Sequence, residues 1–290
     1  DIIGHFGVGF YSAFMVANSI QIDSKSYENH PAVTWIGQED TSYQIKASEK
    51  ASVGTDIKLN INDESKDCLN KDYIINLVKR YANFLPILIK VNGQEANHQK
   101  PLWIQQSNEL TDKDYKSFYS TLFPMQQEPL FWIHLNVDFP FRLQGILYFP
   151  QFNHELDSSK GKVQLYCQQV FVTENVKEIL PEFLTLLQGA IDCPEIPLNV
   201  SRSQLQHDPY VQKISKHIIK KVADKLLELS KKDRKNFEIY WKSIHPFIKY
   251  GMMSDDDFYT KTKDICLFRS SSGLNTKLDE YKEKHKDTLK

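Results

Sequence analysis

Two series of short β-branched runs, each accompanied by a stretch of helical period, meet at one polar segment, Gln94–Pro101. In the first series, Ile20–Ser24, Ala32–Ile36, Tyr43–Ala47 and Thr55–Ile61 are of strand length and are punctuated by Gly37 and Gly54. The spacing Ile74, Leu77, Val78, Tyr81 predicts a helix over Lys71–Phe84, ended by Pro86. Ile87–Val91 reads as a further strand, stopped by Asn92-Gly93. The pattern restarts at Trp103, with a helix over Asp112–Leu122 and strands over Leu130–Val137, Phe141–Phe149 and Val163–Val172. Asn153–Lys162 is a polar surface loop between the last two. Helices are expected over Val176–Leu187 and Val211–Leu229. In the latter, Ile214, Ile218, Val222 and Leu226 recur every fourth residue and Leu229 follows three later, one apolar stripe opposite a lysine-rich face. Ser254-Asp255-Asp256-Asp257 supplies a cap for a later helix, and the charged tail from Glu280 reads as another. Such an arrangement predicts an α+β fold. At 290 residues it has room for two domains, each with its own core.

The 36 basic and 37 acidic residues leave a formal charge of -1, so nothing calls for nucleic acid or an anionic membrane as partner. No apolar run reaches 18 residues, and Asp1-Ile2-Ile3-Gly4 is not a signal peptide. A soluble, cytoplasmic protein is expected. Cys68, Cys167, Cys193 and Cys266 are scattered with no C-x-x-C pair, which predicts buried or incidental thiols. The nine histidines lack ligand spacing, so no metal site is expected from them; His207-Asp208 reads as solvated surface. The glycosylation-type triplet Asn199-Val200-Ser201 has no secretory context. Lys216, Lys220 and Lys221 are the wet face of the amphipathic helix. Most of the aromatic residues, 12% of the chain, belong in the core, and exposed ones could touch unfolded polypeptide.

Two places carry candidate chemistry. Gly4, Gly7 and Gly9 strip side chains from a turn that leads into Tyr11–Ala17, a stretch apolar on all faces and expected to form a buried helix. Bare backbone N–H groups at a helix start can hold an anion, with about half a positive charge added by the helix. A plain tight turn uses glycine equally well, and no Lys-Ser or Lys-Thr follows to make a P-loop. Spacing alone favours the plain turn. Far downstream, Arg202 follows a loop, where most arginines are simply solvated.

The strings themselves say more. Ile3-Gly4-His5-Phe6-Gly7-Val8-Gly9-Phe10-Tyr11-Ser12 resembles the glycine segment closing the ATP lid of the heat-shock protein 90 chaperone family, which usually has Gln where His5 stands. Gly54-Thr55-Asp56-Ile57 resembles the family's Gly-Thr-x-Ile strand, whose threonine lies near the adenine. Ile196-Pro197-Leu198-Asn199-Val200-Ser201-Arg202-Ser203-Gln204-Leu205-Gln206 resembles its middle-domain catalytic loop, with Ser203 where many members have Glu. Lys100-Pro101-Leu102-Trp103, Gly145–Pro150, Leu165–Val172 and Pro181-Glu182-Phe183-Leu184 fit the same frame in order, and the likeness weakens after Lys249. The short Gln94–Pro101 junction is similar to the bacterial HtpG type.

That resemblance implies a partial GHKL-type (Bergerat) α/β sandwich at 1–97, an α/β middle domain at 98–253, and the start of a small subdomain at 254–290. It implies ATP with Mg²⁺ bound against Gly4, His5, Phe6, Gly7, Val8, Gly9, Phe10 and Thr55. Arg202 would reach the γ-phosphate with help from Gln206. The family's activating glutamate, its Asp-x-Gly-x-Gly turn and its Mg²⁺-holding asparagine would precede Asp1, and its dimerisation domain would follow Lys290. The expectation is therefore an internal fragment, inactive as an ATPase by itself, from a homodimeric chaperone that clamps client proteins and possible co-chaperones. A client- or co-chaperone-binding module working without nucleotide, or another GHKL-type ATPase, are the alternatives.

Overall fold

The computed structural model describes residues 9–151, 161–196, 198, 209–271 and 273–286. It divides into two compact units, one of residues 1–83 with 87–98, the other of 84–86 with 99–290. Strands and helices occur together in both, as an α+β fold requires.

In the first unit, β1 (Ala17–Lys25), β2 (Val33–Gln38), β3 (Tyr43–Ala47) and β4 (Gly54–Ile61) form an antiparallel sheet in the order β3-β2-β1-β4. Helix α1 (Lys71–Tyr81) starts at Asn70, whose side chain accepts from Asp72 N at 2.8 Å and Tyr73 N at 3.2 Å. That satisfies two otherwise orphaned helix donors. Only Lys90–Val91 (β5) of the expected strand at 87–91 pairs, turning through Asn92 and Gly93 (φ 50° and 81°) into β6 (Gln94–Glu95). Two left-handed residues match the twist of a two-residue hairpin. The polar segment at 94–101 thus begins as a strand. Its Asn97 side chain accepts from Ile89 N and donates to Ile87 O, both at 2.9 Å.

The buried helix expected over Tyr11–Ala17 is not formed. A 3₁₀ turn spans Gly9–Met15 with no buried residue, and Ala17 already belongs to β1. Tyr11 and Met15 are exposed. An apolar stretch of seven residues carries no period that distinguishes a covered helix from a turn lying on a sheet.

The second unit is built on a five-stranded sheet, β10-β9-β11-β8-β7, with β9 and β11 parallel and the other pairs antiparallel. Its strands are β7 (Phe131–Val137), β8 (Leu143–Phe149), β9 (Val163–Cys167), β10 (Val170–Thr173) and β11 (Gln188–Asp192). Alternation sorts the side chains onto two faces. Leu143, Leu147 and Phe149 of β8 join Ile133, Leu165 and Ile191 in the larger core, together with α3 (Pro209–Lys232) and α4 (Arg234–Ser254). Ile146 and Tyr148 point the other way, into an aromatic core with Trp103, Tyr166 and α2 (Asp112–Leu122). Most of the α3 stripe is fully inside: Ile214, Ile218, Val222 and Leu226 are all at 0% exposure, and Leu229 is partly buried against the same core. Asp255 caps α5 (Asp256–Thr262), accepting from Phe258 N at 2.7 Å. A two-stranded ribbon, β12 (Phe268–Arg269) with β13 (Asn275–Thr276), precedes α6 (Leu278–Lys284).

Two expectations are corrected here. Val163–Val172 is two strands, because Gln168 and Gln169 are both left-handed (φ 53° and 64°) and close a hairpin. Val176–Leu187 is not a helix; turns and a 3₁₀ segment at Glu182–Leu184 bury the same side chains. Pro181 has no N–H to give a helix there. The stretch 234–254 is a further helix, α4, burying Phe237, Trp241, Ile244 and Ile248.

Asp192 explains the glutamine turn. It is 4% exposed, and its Oδ2 accepts from Gln169 N at 2.9 Å. The Trp103 side chain adds a weaker favourable interaction with the same carboxylate. Burial raises the Asp192 pKa from 3.8 to about 6, opposed by the bonds from the turn. Between those values the folded chain holds a proton that the unfolded chain has released, so stability falls as pH rises through that window. About 2 pK units correspond to about 3 kcal/mol. Urea unfolding from pH 3.5 to 7 is expected to show D192N gaining up to about 3 kcal/mol on the native chain over that range. Parallel pH profiles would contradict the assignment.

Candidate functional site

In the first unit the register places Thr55 beside Ser24, and Ser24 beside Val33. The next row on the same face is Ile45, Trp35, Ile22 and Ile57. This face is apolar yet open: Ile45 is 64% and Ile57 58% exposed. Thr55 Oγ1 and Ser24 Oγ lie 2.9 Å apart, a small polar pair at the edge of an apolar floor. The Trp35 ring lies over Gly37, where a Cβ would sit 2.1 Å from it, so only glycine lets the indole lie flat on the sheet. Phe10 meets Trp35 edge-on with centroids 5.8 Å apart. Phe10 and Thr55 therefore belong to the same unit, Phe10 held against the sheet face that carries Thr55. Gly9 starts the 3₁₀ turn, with Ser12 Oγ donating to its carbonyl at 2.6 Å. A Cβ on Gly9 would meet nothing within 4 Å among the described residues, so no packing contact there demands glycine. Gly4, His5, Phe6, Gly7 and Val8 lie outside the described residues.

In the second unit, Arg202 and Gln206 also lie outside the described residues, but the chain on either side of them is built in detail. After β11, Cys193 is buried and Ile196 N donates to Cys193 O at 3.3 Å. Ile196 is buried in the larger core, and Leu198 packs against it. Glu195 accepts from Arg142 Nε at Oε1 and from Tyr210 O–H at Oε2, both at 3.0 Å. Arg142 immediately precedes β8, and Tyr210 is in the first turn of α3. The Arg142 bond, then the Tyr210 bond, hold the Glu195 carboxyl below the usual carboxylate range. Burial, with Cys193 and Glu195 adding to it, pushes the Tyr210 hydroxyl well up, so it remains a donor. Its ring packs edge-on against Phe141 at 5.9 Å, and Cys193 Sγ lies 3.9 Å from its oxygen.

Sequence reasoning missed Arg142, Glu195 and Tyr210. The only signal was a carboxylate seven residues before Arg202, which without coordinates is one of many. Cys167, Cys193 and Cys266 are buried thiols and Cys68 is half-buried, as expected. Among the described residues no cluster of three or more His, Cys, Asp or Glu side chains could hold a metal ion, and no helix is long and apolar enough to cross a membrane.

Comparison with known proteins gives this arrangement a setting. The chain is 47% identical over 302 aligned residues to a chaperone protein HtpG of Bacteroides fragilis, covering 99% of this chain and 44% of that relative. It is 46% identical to the chaperone protein HtpG of Porphyromonas gingivalis (97% and 43%) and 34% identical to that of Bacillus subtilis (97% and 50%). It thus spans less than half the length of the first two. The family profile described as Hsp90 protein matches residues 87–290, which is most of the chain and includes the whole segment from β11 to α3. The chain belongs to the Hsp90 protein family, and is of its HtpG type.

Proposed function

We propose that the chain is the part of an ATP-dependent chaperone in which a nucleotide-binding domain passes into the domain that completes its catalytic site. Residues 1–97 are the closing part of the ATP-binding domain, 98–253 the middle domain, and 254–290 the start of a further subdomain. The observation that carries this reading is the separation of the two strings: Gly9 and Phe10 sit with Thr55 in one compact unit, and the Arg202 segment springs from the other. A catalytic arginine supplied by a second folded unit makes hydrolysis depend on closure of the two, which is how an ATPase drives a conformational cycle.

The residues present suit a nucleotide. Gly9 offers backbone open on its Cβ side, and Thr55 and Ser24 offer hydroxyls beside an apolar floor suited to a base. Gly4, His5, Phe6, Gly7 and Val8 would line the phosphates together with Gly9 and Phe10. Arg202 would bind γ-phosphate oxygens through its planar, always-charged guanidinium, with Gln206 assisting. ATP, with Mg²⁺ on its phosphates, supplies the bond that is broken. Unfolded or partly folded clients, co-chaperones, a homodimer and a cytoplasmic setting belong to the same proposal for the whole protein.

The 290 residues contain no Asp-x-Gly-x-Gly turn to hold the adenine. Calorimetric titration of the chain with ATP is expected to give no binding tighter than about 1 mM, a free energy near -4 kcal/mol. A micromolar constant would show the pocket to be sufficient by itself and would overturn the division of labour proposed here. A second reading, a client-binding surface that works without nucleotide, is favoured by Met125, Phe139 and Met253, each more than four-fifths exposed.

A further inference from the structure

We propose that His134 is an acid-sensitive latch, holding helix α2 against the sheet of the second unit while its ring is neutral and releasing it when the ring takes a second proton. Neither Arg202 nor a nucleotide has a part in it.

His134 stands opposite Ile146 in the register of β7 on β8, on the side of the aromatic core. Both of its ring nitrogens are engaged: Nε2 lies 3.2 Å from the Trp103 carbonyl oxygen and Nδ1 2.8 Å from the Tyr115 hydroxyl. A carbonyl can only accept, so Nε2 carries the hydrogen of the neutral ring and Nδ1 is left to accept from Tyr115 O–H. One ring therefore joins β7 to the 3₁₀ turn at Leu102–Ile104 and to Tyr115 on α2. The Tyr115 ring is buried and stacked on Trp132, with centroids 5.0 Å apart, so its hydroxyl is aimed by packing. Burial, with Asp112 and Asp114 adding to it, raises the Tyr115 pKa, and the hydroxyl stays a donor.

A proton added at Nδ1 turns that acceptor into a second donor facing the phenol, and the bond that ties α2 is lost in its native form. Tyr115 O–H has no other hydrogen-bond partner among the described residues. Nor do the surroundings compensate the new charge. Across a cleft of about 370 Å³ that His134 lines stand Lys221, Asp224, Lys225 and Glu228 of α3. Asp224 is taken by Lys261 at 2.6 Å, and Glu228 by Lys232 at 3.1 Å and Lys225 at 3.4 Å. On α2, Asp112 lies in the first turn and Asp114 accepts from Thr111 N at 2.8 Å. From β8, the Tyr148 hydroxyl donates to the Tyr115 carbonyl at 2.9 Å, and burial keeps it protonated. Leu102–Ile104 brings no charge. Burial lowers the His134 pKa from its usual 6.5, with the bond to the Trp103 carbonyl partly opposing. Below 6.5 an opened His134 takes up a proton that the latched ring refuses. The latch is thus at full strength above that pH and weakens as pH falls through the window beneath it.

Two measurements on the chain itself test the latch. Imidazole nitrogen NMR is expected to show His134 as the Nε2–H tautomer, titrating below 6.5. An Nδ1–H tautomer, or titration at or above 6.5, overturns the latch. Hydrogen exchange of the α2 amides, corrected for the intrinsic pH dependence of exchange, is then compared at about pH 7.5 and about pH 5.5. Opening of α2 should rise by about 3- to 10-fold at the lower pH, with protection across α4 retained. Y115F keeps the ring and its stack but gives Nδ1 no hydrogen, and its α2 should open about 3- to 10-fold more readily at the higher pH. H134Q has no titrating ring and should lose the acid response. D192N, which removes the buried carboxyl that titrates at about 6, should keep it. An α2 that opens no more at the lower pH, an equal rise across α4, native protection in Y115F, a full acid response in H134Q or its loss in D192N would each overturn the latch.

Discussion

Replacing Arg202 with alanine is expected to lower ATP turnover by about 10²–10³-fold in a chimera carrying this chain in the frame of its Bacteroides fragilis relative. Phosphoryl transfer spreads charge over the γ-phosphoryl oxygens and asks the protein for positioning and electrostatics above all. A guanidinium is matched to that task by shape and permanent charge. The loss should appear in kcat, with ATP affinity nearly unchanged, because on the proposed reading the arginine comes from a different folded unit from the one that binds the nucleotide. R202K should recover only a small part, since an ammonium cannot make the paired contact. Turnover within threefold of native in R202A would reject the role.

The largest effect on folding is expected at Trp103. It is at 0% exposure, with ring centroids 4.8 Å from Phe84, 5.1 Å from Tyr166 and 5.8 Å from Phe118. Its carbonyl also accepts from His134 Nε2 at 3.2 Å, and His134 Nδ1 is bonded to the Tyr115 hydroxyl at 2.8 Å. The residue thus fills the middle of the aromatic core and anchors it to β7 through its own backbone. Trp103→Ala leaves a hole in a core of stiff rings that cannot collapse to fill it, and the expected cost is about 3–5 kcal/mol. Set against a typical domain stability of about 5–15 kcal/mol, that is about a fifth of the total or more. Urea unfolding followed by tyrosine and tryptophan fluorescence measures it. A cost under about 1 kcal/mol would show that the rings repack, contrary to the geometry described.

The parts of the fold legible in the sequence are those in which period alone decides the structure. The α3 stripe from Ile214 to Leu226, the helix at Asp112–Leu122 and the run Tyr43–Ala47 each bury or pair as their spacing demands. The turn at Gln168 and Gln169 was illegible because glutamine does not announce a left-handed backbone; its cause is Asp192, more than twenty residues away. Val176–Leu187 has the apolar content of a helix, but Pro181 and the pull of β11 spread the same residues into turns. Helix α4 shows the reverse. Phe237, Trp241, Ile244 and Ile248 do carry helical spacing, across a sequence that also contains Pro246, which argues locally against a helix.

The candidate site divides in the same way. The strings around the glycines, Thr55 and Arg202 can be recognised by residue type, because the proposed backbone approach and phosphate-binding cation call for particular residues at particular places. Phe10 on Trp35 and the bonding of Thr55 to Ser24 follow from the register of four strands, which no local string encodes. Arg142, Glu195 and Tyr210 come from three separate stretches and meet only when β8, β11 and α3 are assembled. Residue types suited to a chemistry can be read from a string; bonds between distant stretches need the fold.

The most direct measurement is covalent. In the same chimera, an ATP analogue with a photoreactive group on the γ-phosphate can be bound, irradiated, and the labelled peptides identified by mass spectrometry. Labelling between Ile196 and Gln206, suppressed by excess ATP, is the result this account requires. Suppressible label confined to the nucleotide-binding unit, with none on that peptide, would contradict it.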